Sequence, residues 1–351
     1  MDWEFRRLSS FEEAQWMKRL EEAEVSHVFF HPVLMKVWLD TYHPIRHNEL
    51  LIVEATCKDG NVALLPLVIW EKGWKHAFTR SIVAVGYSDF DYHDPIFLKK
   101  PSKEALQVYW DGLLEFLKPY KADVIELEGI RTSLTDEGRT WLRGEICPHL
   151  LLDSIHSEEE LMNFFGTKLR GDIRRQIRRL NEVGSLSFKE YTSVDEVPSK
   201  VFEEFMEFHR QKWPKAYKAP GFHRRLVNQC SKEGPIHFST LMVGDMVVAW
   251  HLGFDFKGTY YYYMPAGHPN YQKFSPVKVH LYYLVCRAIE RDYLMYDHLR
   301  GDETYKGGWA NGNQYVNTLF TESGTFQQRT KKVVIRLKQL AMNVSHIIRE
   351  A

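Results

Sequence analysis

The chain has 351 residues, room for two or three domains, and its 44% hydrophobic and 26% charged residues exclude a mainly disordered protein. Lysine plus arginine is 46 and aspartate plus glutamate is 46, so the formal net charge is zero. That excludes a protein-wide basic field for DNA or membrane, and leaves a local basic patch open. Cys57, Cys147, Cys230 and Cys286 are widely spaced and form no C-x-x-C, which speaks against a zinc knuckle or disulfide scaffold and fits a reducing compartment. Residues Met1–Arg7 lack the apolar run of a signal peptide, and no stretch of about 20 apolar residues occurs. A soluble, cytoplasmic protein without membrane contact is expected.

Phe11–Glu24 reads as an amphipathic helix with Trp16, Met17 and Leu20 on one side, and His31–Tyr42 as a second, with Pro32 at its start. Leu50–Ala55 and Val62–Ile69 flank Asp59-Gly60, a hairpin signal. Ser81–Gly86 is a short strand, Lys103–Lys118 a helix, and Val124–Leu127 a strand ending near Gly129. The same order then returns. Val197–Trp213 and Phe222–Cys230 are helices, and His237–Val243 and Met246–Phe254 form a hairpin about Gly244-Asp245. Thr259–Tyr263 is a strand, Val277–Arg291 a helix, and Leu294–Leu299 a strand ending at Gly301. Helix, helix, hairpin, strand, helix, strand thus occurs twice, roughly 170–185 residues apart, which points to an internal duplication. Two unrelated α/β domains are the alternative. We expect domains at 1–150 and 151–325, followed by an amphipathic helix at 326–351. Thr167–Asn181 adds a basic helix carrying Lys168, Arg170, Arg174, Arg175, Arg178 and Arg179, with Leu169, Ile173, Ile177 and Leu180 as its apolar stripe.

The phosphate-binding G-x-x-x-x-G-K-[ST] and G-x-G-x-x-G, the zinc-protease H-E-x-x-H and the hydrolase G-x-S-x-G are all missing. Three clusters hold candidate chemistry. Tyr296–Trp309 places acids, bases and an ammonium group after an apolar strand, at the end where open α/β sheets bind ligands. A solvated turn with a salt bridge is the plain alternative. In Gly86–Pro95, an extended chain points Asp89, Asp91 and His93 the same way. That spacing is weakly specific for a metal. A polar substrate-binding edge is preferred, a surface loop is equally open, and no metal is expected. Tyr260–Pro276 is an aromatic strand leading to a helix that Ser275-Pro276 begins, with Lys273 and Lys278 beside it. Such a helix start attracts phosphate, or is simply a capped helix.

Taken in order, Lys168-Leu169-Arg170 through Arg178-Arg179, His209-x-x-x-Trp213, the hairpin to Ala249, the tyrosine strand, Tyr271-x-x-x-Ser275-Pro276 and Asp297-x-x-Arg300-Gly301-x-Glu303-x-Tyr305-Lys306 resemble the CelD-like branch of the GNAT acyltransferase superfamily, itself similar to the Fem-type aminoacyltransferases. Pro66-Leu67 and Asp91-Tyr92-x-Asp94-Pro95 extend the likeness into the first half. The resemblance implies an α/β (α+β) fold: tandem GNAT-like domains, each a mixed, mostly antiparallel sheet flanked by helices, with a C-terminal helix. It implies transfer of an acyl group from acyl-CoA (acetyl-CoA) to a primary amine on a small molecule or saccharide, such as an amino sugar or an envelope or exopolysaccharide precursor. Aminoacyl-tRNA is the alternative donor, and a non-catalytic scaffold the third reading.

On this reading Lys306 faces the tetrahedral oxyanion, and Glu303 or His209 accepts the amine proton. Lys273, Ser275, Lys278, Arg174 and Arg178 bind the donor. Asp89, Asp91, His93, Asp94, Tyr263, Asp297, Arg300 and Tyr305 bind the acceptor. The family's loop commonly reads Ser-Pro-Gly. Here it reads Ser275-Pro276-Val277, and a β-branched residue at that point hinders close backbone approach to a pyrophosphate.

Overall fold

A computed structural model describes residues 3–9, 12–46, 48–71, 79–132, 141–324, 329–335 and 337. The described residues fall into two compact units, one holding the chain up to Gly144 and from Val316 on, the other Glu145–Tyr315.

In the first unit β1 (Trp3–Leu8), α1 (Glu13–Glu22) and α2 (Pro32–Arg46) precede β2 (Glu49–Cys57) and β3 (Val62–Glu71). β4 (Arg80–Ala84), the two-residue β5 (Ile96–Phe97), α3 (Lys103–Leu117) and β6 (Val124–Ile130) follow. The sheet order is β1-β2-β3-β4-β6-β13, the last strand, β13 (Gly312–Glu322), pairing with β6 through Asn317–Glu322. All neighbours are antiparallel except β4 and β6, which run parallel. β3 is buried along almost its whole length, as its unbroken apolar run requires. It nevertheless contains Pro66, which has no N–H to give. The proline sits between the end of the β4 register at Leu67 and the start of the β5 register at Leu64, where no ladder donor is needed on that side.

The chain passes into the second unit within β7 (Trp141–Leu151). Next come α4 (Glu158–Phe164), α5 (Thr167–Val183), β8 (Leu186–Tyr191), α6 (Ser199–Lys212) and α7 (Phe222–Val227). β9 (Ile236–Val243), β10 (Met246–Phe256), β11 (Thr259–Gly267), α8 (Pro276–Glu290) and β12 (Met295–Asp297) complete it. Its sheet runs β8-β9-β10-β11-β12-β7, again antiparallel except for the pair β11/β12. The spatial order and strand directions repeat those of the first unit, without a counterpart of β5, with α4 and α5 added, and with the sixth place filled by a strand that precedes the others in the chain instead of following them. The expected repeat is therefore present, and the fold is the expected α/β type with mostly antiparallel sheets.

The core of the second unit gathers Leu150, Phe165, Ile173, Tyr260, Tyr262, Tyr282, Tyr296 and Trp309. The expected stripe of α5 reaches it: Ile173 and Leu180 are fully buried, and Leu169 and Ile177 pack alongside. At the far end of the sequence, residues 329–335 are helical. The rest of the expected C-terminal helix lies outside the described residues. No described helix is long and apolar enough to cross a membrane.

Candidate active site

β11 and β12 pair over Thr259–Tyr261 and Met295–Asp297 only. β11 then continues to Gly267 against β10 alone, with no described strand paired along its other edge. Pro265, an edge-strand residue by rule, falls in this stretch. This stretch lies at the carboxyl ends of two parallel strands, where α/β sheets bind ligands.

The turn that leaves β12 is over-determined. Asp297 is fully buried and its Oδ1 accepts from the Leu299 N–H at 2.8 Å. The His298 and Gly301 N–H groups donate to the carbonyls of Pro148 and Ile146, both at 3.0 Å. Leu299 has φ +60° and Gly301 φ +123°, and a Cβ on Gly301 would stand 2.3 Å from Glu303 Oε2, so only glycine fits there. Lys306, 4% exposed, closes the turn: its Nζ donates to the Arg300 carbonyl at 2.8 Å and the Leu299 carbonyl at 3.4 Å, and lies 2.9 Å from Glu303 Oε2. Its hydrogen bonds thus go to the two backbone carbonyls, while Glu303 Oε2, within ion-pair distance, receives no hydrogen bond among the described residues.

Glu303 keeps 40% of its side chain exposed and Tyr305 is 42% exposed. Burial, with the Glu303 charge beside it, raises the Tyr305 phenol above its ordinary value, so it stays protonated at neutral pH. Behind them the fully buried Tyr262 is raised by burial and then by Tyr305. A carboxylate, a phenol and an ammonium group are therefore collected in one turn. A carboxylate can take a proton, and a phenol can give one.

The other expected residues of this unit lie as follows. Tyr263 packs on Phe254 with ring centroids 4.9 Å apart. His209 is 5% exposed, its Nδ1 2.7 Å from the Tyr217 hydroxyl. Burial, then the charges of His223 and Lys212, push it down to about 3, which makes it a poor proton acceptor at neutral pH. Tyr217 and His223 belong to a groove of about 680 Å³ between α6 and α7, lined also by Phe202, Met206, Arg210 and Arg224.

Of the expected donor-binding residues, Arg174 and Arg178 are exposed on α5, the latter 3.8 Å from Glu182. The Lys273 carbonyl accepts from Arg179 at 3.1 Å. Ser275, at φ 49°, starts α8, and Lys278 is ion-paired with Asp172 of α5. Sequence reasoning missed Asp172. Its signal was being the lone acid within the basic run Thr167–Asn181.

The expected acceptor residues of the first unit have partners within that unit. The Asp89 carboxylate accepts from the Tyr42 hydroxyl at 2.6 Å and the Trp38 indole at 3.2 Å. His93 is fully buried, with Nδ1 3.0 Å from the Glu128 carbonyl. Asp94, also fully buried, accepts from Arg131 Nε at 2.6 Å and from the Arg131 and Thr132 N–H groups at 2.7 and 2.6 Å. Burial alone would raise its carboxyl, yet Arg131 and the backbone donors hold it below the usual carboxylate range. Asp91 is half-buried, and its carbonyl lies 2.4 Å from where a Cβ on Gly129 would stand. No group of three or more metal-ligating side chains is placed to hold an ion among the described residues.

Residues 167–307 match the family model of the acetyltransferase (GNAT) domain. Solved structures carry the likeness over nearly the whole chain at low identity. A crystal structure of FemX is 12% identical with a TM-score of 0.61, covering 95% of this chain and 100% of that one. A tandem GNAT protein from the clavulanic acid biosynthesis pathway is 12% identical with a TM-score of 0.51, covering 92% and 99%. The C-terminal domain of a putative lysylphosphatidylglycerol synthetase from Agrobacterium fabrum is 11% identical with a TM-score of 0.52, covering 94% and 97%. A search of curated proteins finds no match.

These findings define a tandem GNAT-like fold whose second unit contains a domain of the GNAT superfamily. That domain indicates acyl transfer as the enzymatic activity.

A GNAT domain implies binding of acyl-CoA. The edge of β11 that no described strand pairs offers backbone donors and acceptors to the extended arm of such a donor. The start of α8 fits the donor's diphosphate poorly. Pro276 has no N–H, and the Lys278 and Val279 N–H groups already donate to the Ser275 carbonyl at 3.0 and 3.3 Å. Val277 occupies the space beside Gly267, where an added Cβ would stand 2.7 Å from its Cγ2.

Proposed function

We propose that the second unit transfers an acyl group from an acyl-CoA to a primary amine, such as that of an amino sugar or an envelope or exopolysaccharide precursor. The observation that supports this most is the cluster Glu303, Tyr305 and Lys306 at the carboxyl end of β12, beside that edge of β11. The reaction needs a neutral amine, a positioned carbonyl and a proton for the leaving group.

In this reading the β11 edge holds the donor's arm. The Glu303 carboxylate takes the proton of the attacking amine, directly or through one water. The C–N bond forms, the carbonyl electrons move onto oxygen and return, and the C–S bond breaks. The Tyr305 phenol gives its proton to the departing thiolate and recovers one from solvent. Lys306 acts by fixing the turn through the Leu299 and Arg300 carbonyls and by placing its charge beside the Glu303 carboxylate. Arg300 orients the acceptor.

The test is thiol release from acetyl-CoA and longer acyl-CoAs, with and without a panel of amino sugars and simple amines. Release that requires both substrates is expected. A natively melting protein that releases no thiol across the panel would overturn the acyl-CoA reading.

A second reading, an aminoacyl ester on tRNA as donor, is favoured by the exposed cations Lys168, Arg174, Arg175 and Arg178 on α5. It predicts tRNA binding that weakens steeply as salt rises.

A further inference from the structure

The amino end of α8 and the middle of α5 are joined by charge. Lys278, in the first turn of α8, is ion-paired with Asp172, and Arg175 holds the same carboxylate. Gln176 Nε2 donates to Asp172 at 3.3 Å. Burial alone would raise the Asp172 carboxyl, but the hydrogen bond and charge of Lys278, with Gln176 and Arg175, keep it below the usual carboxylate range. About two turns beyond Asp172 along α5, the Arg179 guanidinium donates to the Lys273 carbonyl at 3.1 Å and lies 4.9 Å from the Phe274 ring centroid. The α5 side chains therefore grip both the loop before α8 and the first turn of α8.

The backbone has little to give an anion here. Pro276 lacks an N–H and two of the next three are spent on Ser275. Two of the side-chain cations at this end of α8, Lys278 and Arg175, are answered by one carboxylate.

We propose that Asp172 is a specificity-determining residue, an internal anion that keeps Lys278 and Arg175 closed to a donor's diphosphate. It rests on the acyl-CoA reading above only in taking CoA as the diphosphate carrier. The wild-type protein then reads its donor mainly through the arm and acyl group rather than through the diphosphate. Asp172→Asn keeps the shape and the contact with Gln176 but removes the charge, leaving two cations without their counter-ion.

The experiment is titration calorimetry of wild type, Asp172→Asn and Asp172→Asn/Lys278→Ala with inorganic diphosphate, then with CoA and acetyl-CoA. Asp172→Ser serves as a second charge-removing variant in case the asparagine variant melts abnormally. We expect at least tenfold tighter diphosphate binding when Asp172 is neutralised, and loss of that gain in the double variant. A folded Asp172→Asn or Asp172→Ser protein that binds diphosphate no better than wild type would overturn the inference. A gain for diphosphate without any binding of CoA or acetyl-CoA would uphold Asp172 as the barrier and defeat the acyl-CoA reading instead.

Discussion

Both units end a parallel strand pair in the same topological place, and they finish it differently. In the first unit β4 and β6 pair over Ser81–Val83 and Val124–Glu126, and the chain then folds back between them. The His93 N–H donates to the Gly129 carbonyl, and Phe90 and His93 are fully buried. A Cβ on Gly86 would meet the Phe90 ring at 2.3 Å, so the loop fills its own opening. Asp94 spends its carboxylate on Arg131 and the backbone. In the second unit the matching end has no described strand along the β11 edge and leaves a carboxylate and a phenol partly exposed. The first copy thus buries the Asp94 carboxylate in cohesive contacts, while the second, besides its buried Asp297 and Lys306, leaves Glu303 and Tyr305 partly exposed.

The largest expected contrast is in acid. In the second unit burial pushes His209, His280 and His298 down to about 3 and His223 to about 4, and holds His251 well below its usual value. In the first unit His27 is pushed to about 3. A histidine with a depressed folded value costs nothing above about pH 6.5, and destabilises as pH falls below it, because the unfolded chain binds the proton first. Each contributes roughly 1 kcal/mol per pH unit in that window. Hydrogen exchange followed peptide by peptide from pH 7.5 to 5 should show the second unit losing protection first. Simultaneous loss, or loss led by the first unit, would contradict the assignment.

Asp94→Ala comes next. It strands Arg131 and two backbone donors, and breaking a buried pair costs about 3–5 kcal/mol. Urea unfolding should register that loss, while activity per folded molecule stays unchanged. Because the folded carboxyl is depressed, the wild-type contribution is fully present above about pH 4 and disappears as pH falls through the folded value. A drop in turnover without a drop in stability would instead bring Asp94 into the reaction.

Tyr305→Phe is the smallest of the three. It removes the proposed proton donor from a side chain that is 42% exposed. Turnover should fall about 10²-fold with the melting temperature unmoved. A rate within twofold of wild type would take Tyr305 out of the proposed mechanism.

Much of this architecture was legible because its hairpins and helices carry strong local patterns. Val62–Ile69 is an unbroken apolar run beside Asp59-Gly60, and it is the buried strand β3. β1 and β8 escaped notice: Trp3–Leu8 and Leu186–Tyr191 are short, charged and half-exposed, as strands flanked on one side are. β7 and β13 escaped for another reason. β13 is largely polar, β7 mixes apolar residues with Arg143, Gly144, Glu145, Pro148 and His149 in no clean alternation, and the first unit takes its last strand from near residue 320, a closure that no local pattern announces. At the site, the density of ionisable groups around Gly301 marked Tyr296–Trp309 from sequence alone. The partners did not show. Arg131 lies 37 positions from Asp94, and Lys278 lies 106 from Asp172, so the charges that absorb those acids appear only once the chain is folded.

The most direct test of the central claim, that chemistry belongs to the Glu303 turn of the second unit, is the single-turnover rate of Glu303→Gln beside wild type, with thiol release and product formation both followed. Removing a general base typically costs about 10²–10⁴ in rate. The account predicts a loss in that range with unchanged melting and unchanged donor binding. A folded Glu303→Gln enzyme that turns over at the wild-type rate would contradict it and move the chemistry elsewhere.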